Sequence, residues 1–204
     1  MVLVILAIFS DKQMPNVYII GGANGSGKTT VALRLLPNFL DCFEYVNADI
    51  IAAGLSALNP ESVAIQAGRL MLQRLQTLSS KGANFAFETT LAARTFAPFL
   101  RNCQTQGYTV NLIYFWLQSP ELAIQRVRRR VEAGGHSIPE DVIRRRYDRG
   151  RRNLGQLYLP LCDSWIVYDN TRNSPRLIAE KSLNQEPIID FPELWHQIFE
   201  GAEK

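Results

Sequence analysis

Gly22-Ala23-Asn24-Gly25-Ser26-Gly27-Lys28-Thr29, directly after the apolar run Val17–Ile20, is the stretch that decides the fold. Its form, G-x-x-x-x-G-K-[ST], is that of a loop wrapped around the phosphates of a nucleoside triphosphate. Glycines let backbone N–H groups turn toward phosphate oxygens where a Cβ would not fit. Lys28 offers a point charge to the β- and γ-phosphates, and Thr29 a hydroxyl to Mg²⁺. The flanks agree. A buried strand precedes the loop, and Thr30–Leu36 reads as an amphipathic helix whose N-terminus favours anions. Gly22 through Thr30 are therefore the nucleotide-binding candidates, with ATP or GTP and Mg²⁺ as the implied ligands.

A chain of 204 residues suffices for one well-buried α/β domain and falls short of two. Cys42, Cys103 and Cys162 are odd in number, widely spaced and set beside apolar residues. They point to buried packing in a reducing compartment such as the cytoplasm, with neither a disulfide framework nor a zinc site. Met1–Phe9 is an apolar run without the basic n-region of a signal peptide, and it is too short to span a bilayer. Two readings of residues 1–13 stand side by side: an extra segment ahead of a natural start at Met14, or an added edge strand. Residues 14–204 then form the single domain.

Five apolar runs read as buried strands: Val17–Ile20, Phe43–Val46, Phe85–Phe87, Val110–Leu117 and Trp165–Tyr168. Helical patterns alternate with them, which predicts βαβ units and a parallel sheet. The longest helix opens at Asn59-Pro60-Glu61 and carries the stripe Val63, Ala67, Leu70, Met71, Leu75, Leu78 up to Gly82. A second presents Phe96, Phe99, Leu100 and Cys103, and a third runs from Pro120 to Val131. Pro187–Gly201 reads as a weaker strand-plus-helix closure.

Ligands of a parallel sheet bind at the carboxyl ends of its strands, so residues just past each strand carry most information. The second strand is followed by Asn47-Ala48-Asp49 and the third by Glu88-Thr89-Thr90. Glu88, at the tip of Phe-Ala-Phe, suits a Mg²⁺ contact or an acceptor contact, and Asp49 suits the base that takes a proton from an acceptor hydroxyl. Helix capping is the competing reading for both. Thr90 and Arg94 are substrate-contact candidates. For Asp169 a turn is the favoured reading.

Between Arg126 and Arg152 stand ten arginines against four acids, in a chain whose formal net charge is only +3. Positive charge is thus local. Two arginine-bearing helices joined by Gly134-Gly135-His136-Ser-Ile-Pro139 suit a lid over about 126–152 that closes on phosphates. Helical phase sets Arg146 on the inward stripe of Val142, Ile143 and Tyr147, and places Arg126 and Arg130 on one face. These three are the catalytic-arginine candidates, beside Lys28 and Asp49. The other seven read as a solvated basic face, and His136 as a loop hydrogen-bonder.

Gly21–Thr30, Val46-Asn-Ala-Asp49, Phe87-Glu88-Thr89-Thr90 and Arg126–Tyr147 together resemble the zeta-toxin family of P-loop kinases, with Asp169-Asn170 extending the match to about Val17–Asn170. The resemblance implies a three-layer αβα P-loop NTPase fold with sheet order 2-3-1-4-5. It implies ATP- and Mg²⁺-dependent phosphorylation of the amino-sugar hydroxyl of UDP-N-acetylglucosamine, with toxicity to the host and an antitoxin partner. In that pattern Lys28 binds phosphate, Thr29 the metal, Asp49 is the base, Glu88 and Thr90 touch acceptor or metal, and lid arginines stabilise the transferring phosphoryl. The chain departs from it in a longer, more arginine-rich lid and in Ala52–Gly82, where Gln66, Arg69 and Gln73 either line the acceptor pocket or face water. Two other readings compete: an ATP-hydrolysing switch without an acceptor, and a polynucleotide kinase or nucleic-acid binder. The fourth strand lacks a terminal Asp-Glu, which opposes the first. Aromatic platforms near the arginines are limited to Tyr147 and Tyr158, which opposes the second.

Overall fold

Strands β1 (Asn16–Gly22) and β4 (Thr109–Trp116) are buried along their full length, as strands covered on both faces must be. They pair in parallel at the centre of the sheet. The computed structural model describes residues 4, 5, 8, 9, 14–172 and 174–201. Side chains alternate across each strand, so Val17 and Ile19 enter one apolar cluster while Tyr18 and Ile20 enter the opposite one. Helix α1 (Lys28–Phe39) covers the second cluster with Ala32, Leu35 and Leu36. The first cluster is closed by α3 (Ala64–Ser80) through Met71, Leu75 and Leu78, and by α4 (Phe96–Thr105) through Phe99, Leu100 and Cys103. This is the expected three-layer P-loop architecture.

Between them run β2 (Glu44–Val46), α2 (Ala48–Leu55), β3 (Phe85–Thr89) and β5 (Ser164–Asp169). The parallel core has the implied order β2-β3-β1-β4-β5. One correction applies: the sheet is mixed and, among the described residues, has seven strands. An antiparallel β6 (Arg176–Lys181) and the short β7 (Ile188–Ile189) extend it beyond β5. The sequence hides β6, which is charged at both ends and buries only Ile178 and Ala179 completely, whereas the two exposed residues of β7 fall within the strand-plus-helix closure expected over Pro187–Gly201. Such short, charged strands are how sheets protect an edge. Helix α7 (Pro192–Phe199) closes the chain.

Smaller differences concern element ends. Residues Pro60–Val63 form a tight 3₁₀ turn ahead of α3, and Phe43 lies outside β2, 74% exposed. Leu70, placed on the α3 stripe by spacing, is 37% exposed and does not join the core. All three cysteines are free and buried, as their neighbours predict. Within the first thirteen residues Val4, Ile5 and Ile8 are helical, so the edge-strand expectation fails for them. Ile5, Ile8 and Phe9 are buried in the cluster that holds Tyr18, with Phe9 edge-on to Tyr18 at 6.1 Å. Residues 1–3, 6, 7 and 10–13 lie outside the described residues.

Helices α5 (Pro120–Glu132) and α6 (Glu140–Asn153) make up the arginine-rich segment. The hydroxyl of Ser119 caps α5 by accepting from the Leu122 amide at 3.2 Å. A third apolar cluster (Ala23, Leu117, Ala123, Ile124, Val127, Ile138, Ile143, Tyr147) seats both helices beside the phosphate loop. The Tyr147 phenol donates to the Leu117 carbonyl at 2.6 Å, and burial pushes its pKa up to about 12. Beyond α6 the chain continues through a π-turn, Leu154–Tyr158.

Candidate active site

The loop between β1 and α1 is shaped by glycines where side chains would collide. Gly22 has φ +142°, and a Cβ there would lie 2.4 Å from the Phe115 carbonyl oxygen. Gly27, at φ +87°, faces the Asn170 amide, which donates to the Ser26 carbonyl at 2.7 Å. No side chain caps α1 and its first turn carries no acid, so its amides are free to meet an anion.

Lys28 is 5% exposed; its Nζ donates to the Ala23 carbonyl at 2.8 Å and lies 3.6 Å from Glu88 Oε1. Burial lowers its pKa, opposed by Glu88 and Asp49. Glu88 Oε2 accepts from Thr29 Oγ1 at 2.7 Å, from the Tyr45 phenol at 2.5 Å and from Asn47 Nδ2 at 3.1 Å. Burial, and then Glu88, raises the Tyr45 pKa, which keeps that phenol a donor. Glu88 therefore caps no helix. Asp49 caps none either, because the Asn47 side chain accepts from the Asp49 and Ile50 amides and caps α2. Asp49 is left on the first turn of α2 with its carboxylate 3.7 Å from His136 Nε2.

Three cavities meet here. One of about 250 Å³ is walled by Asn24, Gly25, Gly27, Lys28, Thr29, Thr30, Asp49, Glu88, Arg126 and Arg130. A second, about 290 Å³, runs from Asn24, Lys28, Asp49 and Glu88 past Thr90 to Met71, Phe96 and Arg146. A third, about 100 Å³, holds Asp49, Glu61, His136 and Arg146. Asp49 borders all three. A groove of about 980 Å³ between Trp165, Trp195 and Lys181 is larger but holds none of the candidate residues.

The candidates thus converge, with exceptions. Gly22, Ala23 and Ser26 shape the loop without walling any of the three. Arg94 is exposed and borders none of the three, and Gln66, Arg69 and Gln73 face water while Gly68 and Met71 of the same helix line the second cavity. Among the remaining arginines Arg128, Arg129, Arg144, Arg145 and Arg149 are exposed as expected. Arg151 is not part of that solvated face. Its guanidinium lies over the Tyr147 ring and donates to the carbonyls of Gln197, Ile198 and Glu200. Asp169 forms the expected turn by accepting from the Thr171 amide at 2.9 Å. Tyr147 and Tyr158 are buried with their hydroxyls bonded to carbonyls, so neither offers a stacking platform for a base.

Several residues were not singled out from sequence. Tyr45 and Asn47 hold Glu88; Asn47 carried a readable signal as a capping residue ahead of a helix, whereas Tyr45 carried none. Leu91 has φ +60° while fully buried, a conformation costing about 1–2 kcal/mol. It is held because Asn153 Nδ2 donates to its carbonyl at 2.8 Å and Thr89 Oγ1 accepts from its amide at 3.1 Å.

Comparison with known proteins shows the family and the fold. The family model described as Zeta toxin matches residues 4–180. The chain belongs to the zeta-toxin family. A relative from Haemophilus influenzae, an uncharacterized protein, is 32% identical over 127 residues, covering 62% of this chain and 88% of that one. Among solved structures, one from the PezAT chromosomal toxin–antitoxin system of Streptococcus pneumoniae superposes with a TM-score of 0.62 at 20% identity, over 81% of this chain and 71% of that one. The AvrRxo1-ORF1:AvrRxo1-ORF2 complex with sulphate ions gives 0.73 at 17% identity, over 97% and 67% respectively. At such identities these structures speak for the fold of the zeta-toxin-family chain, and they agree with the P-loop kinase-like core built above.

Proposed function

We propose that the protein is an ATP-dependent small-molecule kinase that moves the γ-phosphoryl to a hydroxyl of a nucleotide sugar, with UDP-N-acetylglucosamine as the leading acceptor. The observation that carries this reading is the place of Asp49, a carboxylate that caps nothing and borders both the phosphate-side cavity and the two beyond it. A base must reach the acceptor hydroxyl at the point where the phosphoryl arrives, and that junction is such a point.

In this reading Lys28, the loop amides and the α1 N-terminus hold the triphosphate. Asp49 takes the proton as the acceptor oxygen bonds to the γ-phosphorus. The bond from that phosphorus to the β,γ-bridging oxygen breaks, and ADP leaves. Arg126 and Arg130 meet the charge on the equatorial oxygens, and the lid excludes water. Thr29 Oγ1 and the Glu88 carboxylate, 2.7 Å apart, form an adjacent pair of hard oxygen donors. Among the described residues there is no cluster of three or more His, Cys, Asp or Glu, which suits a cation that keeps water and phosphate oxygens around it. Bound there, Mg²⁺ would neutralise β- and γ-phosphate charge.

Incubation with γ-labelled ATP and a set of nucleotide sugars tests the reading. Label is expected in a nucleotide sugar. Label released only as inorganic phosphate, at a rate no acceptor changes, would instead favour the ATPase reading. The proposed cellular role is a cytoplasmic toxin restrained by an antitoxin protein, supported by membership of the family. Among the described residues no helix is long and apolar enough to cross a membrane. Expression of the wild type is expected to arrest growth and that of Lys28→Ala to leave it unaffected; equal growth in both would remove the toxin role.

A further inference from the structure

Glu88 and Asp49, the two carboxylates of the site, are held in opposite ways. Glu88 accepts from three side chains and lies beside Lys28, which fixes its plane. The Asp49 carboxylate is 47% exposed and accepts no hydrogen bond among the described residues. A carboxylate free to swing about its side-chain bonds is a poor base, because an acceptor hydroxyl must meet one of its oxygens along a defined line. What faces it is His136, whose Nε2 lies 3.7 Å from Asp49 Oδ2.

The neighbours of His136 put it there. Gly135 donates its amide to the Arg130 carbonyl at 2.9 Å and packs so closely that a Cβ would lie 2.8 Å from Arg130 Cγ. Arg130 in turn donates from Nη2 to the His136 carbonyl at 3.3 Å. Further along, Ile138 is buried with Ile143 and Tyr147 in the cluster that seats α5 and α6. A loop fixed at Gly135 and again at Ile138 leaves the side chain between them little freedom. That side chain lines the small cavity it shares with Asp49, Glu61 and Arg146. Among the described residues its ring has no polar partner in its own loop, so the expected hydrogen bonding is done by its carbonyl.

The ion pairs Arg128–Glu140, Arg144–Glu121 and Arg145–Asp141 stay within the arginine-rich segment, whereas His136–Asp49 crosses from it to α2. An exposed pair of this kind contributes little to stability, so its consequence is geometric. We propose that His136 is a positioning residue for the base. Its Nε2–H donates to Asp49 Oδ2, a contact that shortens when substrates fill the site, and leaves Oδ1 to the acceptor hydroxyl. The acceptor proton ends on Oδ1 and the ring keeps its own. Because Arg130 walls the phosphate-side cavity and also grips the His136 carbonyl, the base is oriented only while the loop is seated on the phosphates. The proposal rests on the kinase reading and adds to it a link between loop closure and chemistry.

Steady-state transfer from ATP and Mg²⁺ to the nucleotide sugar that accepts label tests it. The full chain is compared as wild type, His136→Ala, His136→Gln, Asp49→Asn and the His136→Ala, Asp49→Asn double variant, with calorimetric binding of the non-hydrolysable analogue AMP-PNP measured beside each. His136→Ala is expected to lower kcat about tenfold to a hundredfold, with acceptor KM and AMP-PNP affinity unchanged. Glutamine carries an amide donor of similar reach, so His136→Gln is expected to recover part of that loss. In the Asp49→Asn background His136→Ala is expected to cost less than about twofold, because a residue acting through the base has nothing left to orient. Wild-type kcat in His136→Ala, a raised acceptor KM in place of a lowered kcat, no recovery in His136→Gln, or an equal loss with and without Asp49 would each overturn the positioning role alone. A wild type that labels no nucleotide sugar would sink the kinase reading and this role with it.

Discussion

Glu88 accepts from three side chains and pairs with a buried lysine while being only 11% exposed. A neutral isostere would meet those donors with one weaker acceptor and a misplaced donor of its own. Glu88→Gln is therefore expected to cost about 1–3 kcal/mol of stability, read by urea unfolding, and to weaken Mg²⁺ dependence of transfer. A variant as stable as wild type would contradict the hydrogen-bonded role. Lys28 yields a pH prediction. Its folded-state pKa is lowered from 10.5 by burial, so between the folded and unfolded values the unfolded chain binds more protons and stability rises with pH. In the nucleotide-free protein, the stability of wild type minus that of Lys28→Met should climb through the alkaline range as pH approaches 10.5. A flat difference would show the amine unshifted. At this scale the sequence was readable where a motif fixes chemistry: Lys28, Thr29, Asp49 and Glu88 all reach one site. Tyr45 was not readable, since nothing local tells which face of a three-residue strand carries a polar partner.

Elements set the distances that these residues need. Helix α6 approaches the loop after β3 so closely that a Cβ on Gly150 would lie 2.4 Å from the Thr90 carbonyl oxygen. Gly150→Ala must push the two apart, and thereby shift both Thr90 and Arg146. It is expected to destabilise by about 1–3 kcal/mol and to weaken acceptor binding more than AMP-PNP binding, as measured by calorimetry. Equal loss for both ligands would contradict the division of the site. The two arginine-bearing helices were legible from Pro120, the Gly134-Gly135 pair and Pro139, which punctuate the chain where the structure turns. Strand β6 was not, because it buries too little to leave an alternating pattern, whereas β7 falls within the closure expected over Pro187–Gly201.

The whole molecule folds around two covered sheet faces, and its first residues share in one of them. Ile5, Ile8 and Phe9 pack with Tyr18, Ile20 and Leu36, where burial contributes about 1.5–3 kcal/mol for each fully buried side chain. A chain beginning at Met14 is therefore expected to unfold several degrees lower than the 204-residue chain in calorimetry. An unchanged midpoint would show that the segment only rests on the surface. Composition and the apolar runs predicted the layers, but not this packing, because a short apolar run looks alike as a helix or a strand.

Transfer in one turnover by Asp49→Asn tests the central claim most directly. The proposed base of the reaction is Asp49, on the border between the phosphate and acceptor spaces. Mixing excess enzyme with γ-labelled ATP and UDP-N-acetylglucosamine should show labelled sugar nucleotide forming about 10²–10⁴-fold more slowly in the variant, with AMP-PNP affinity unchanged. Formation at the wild-type rate would contradict it.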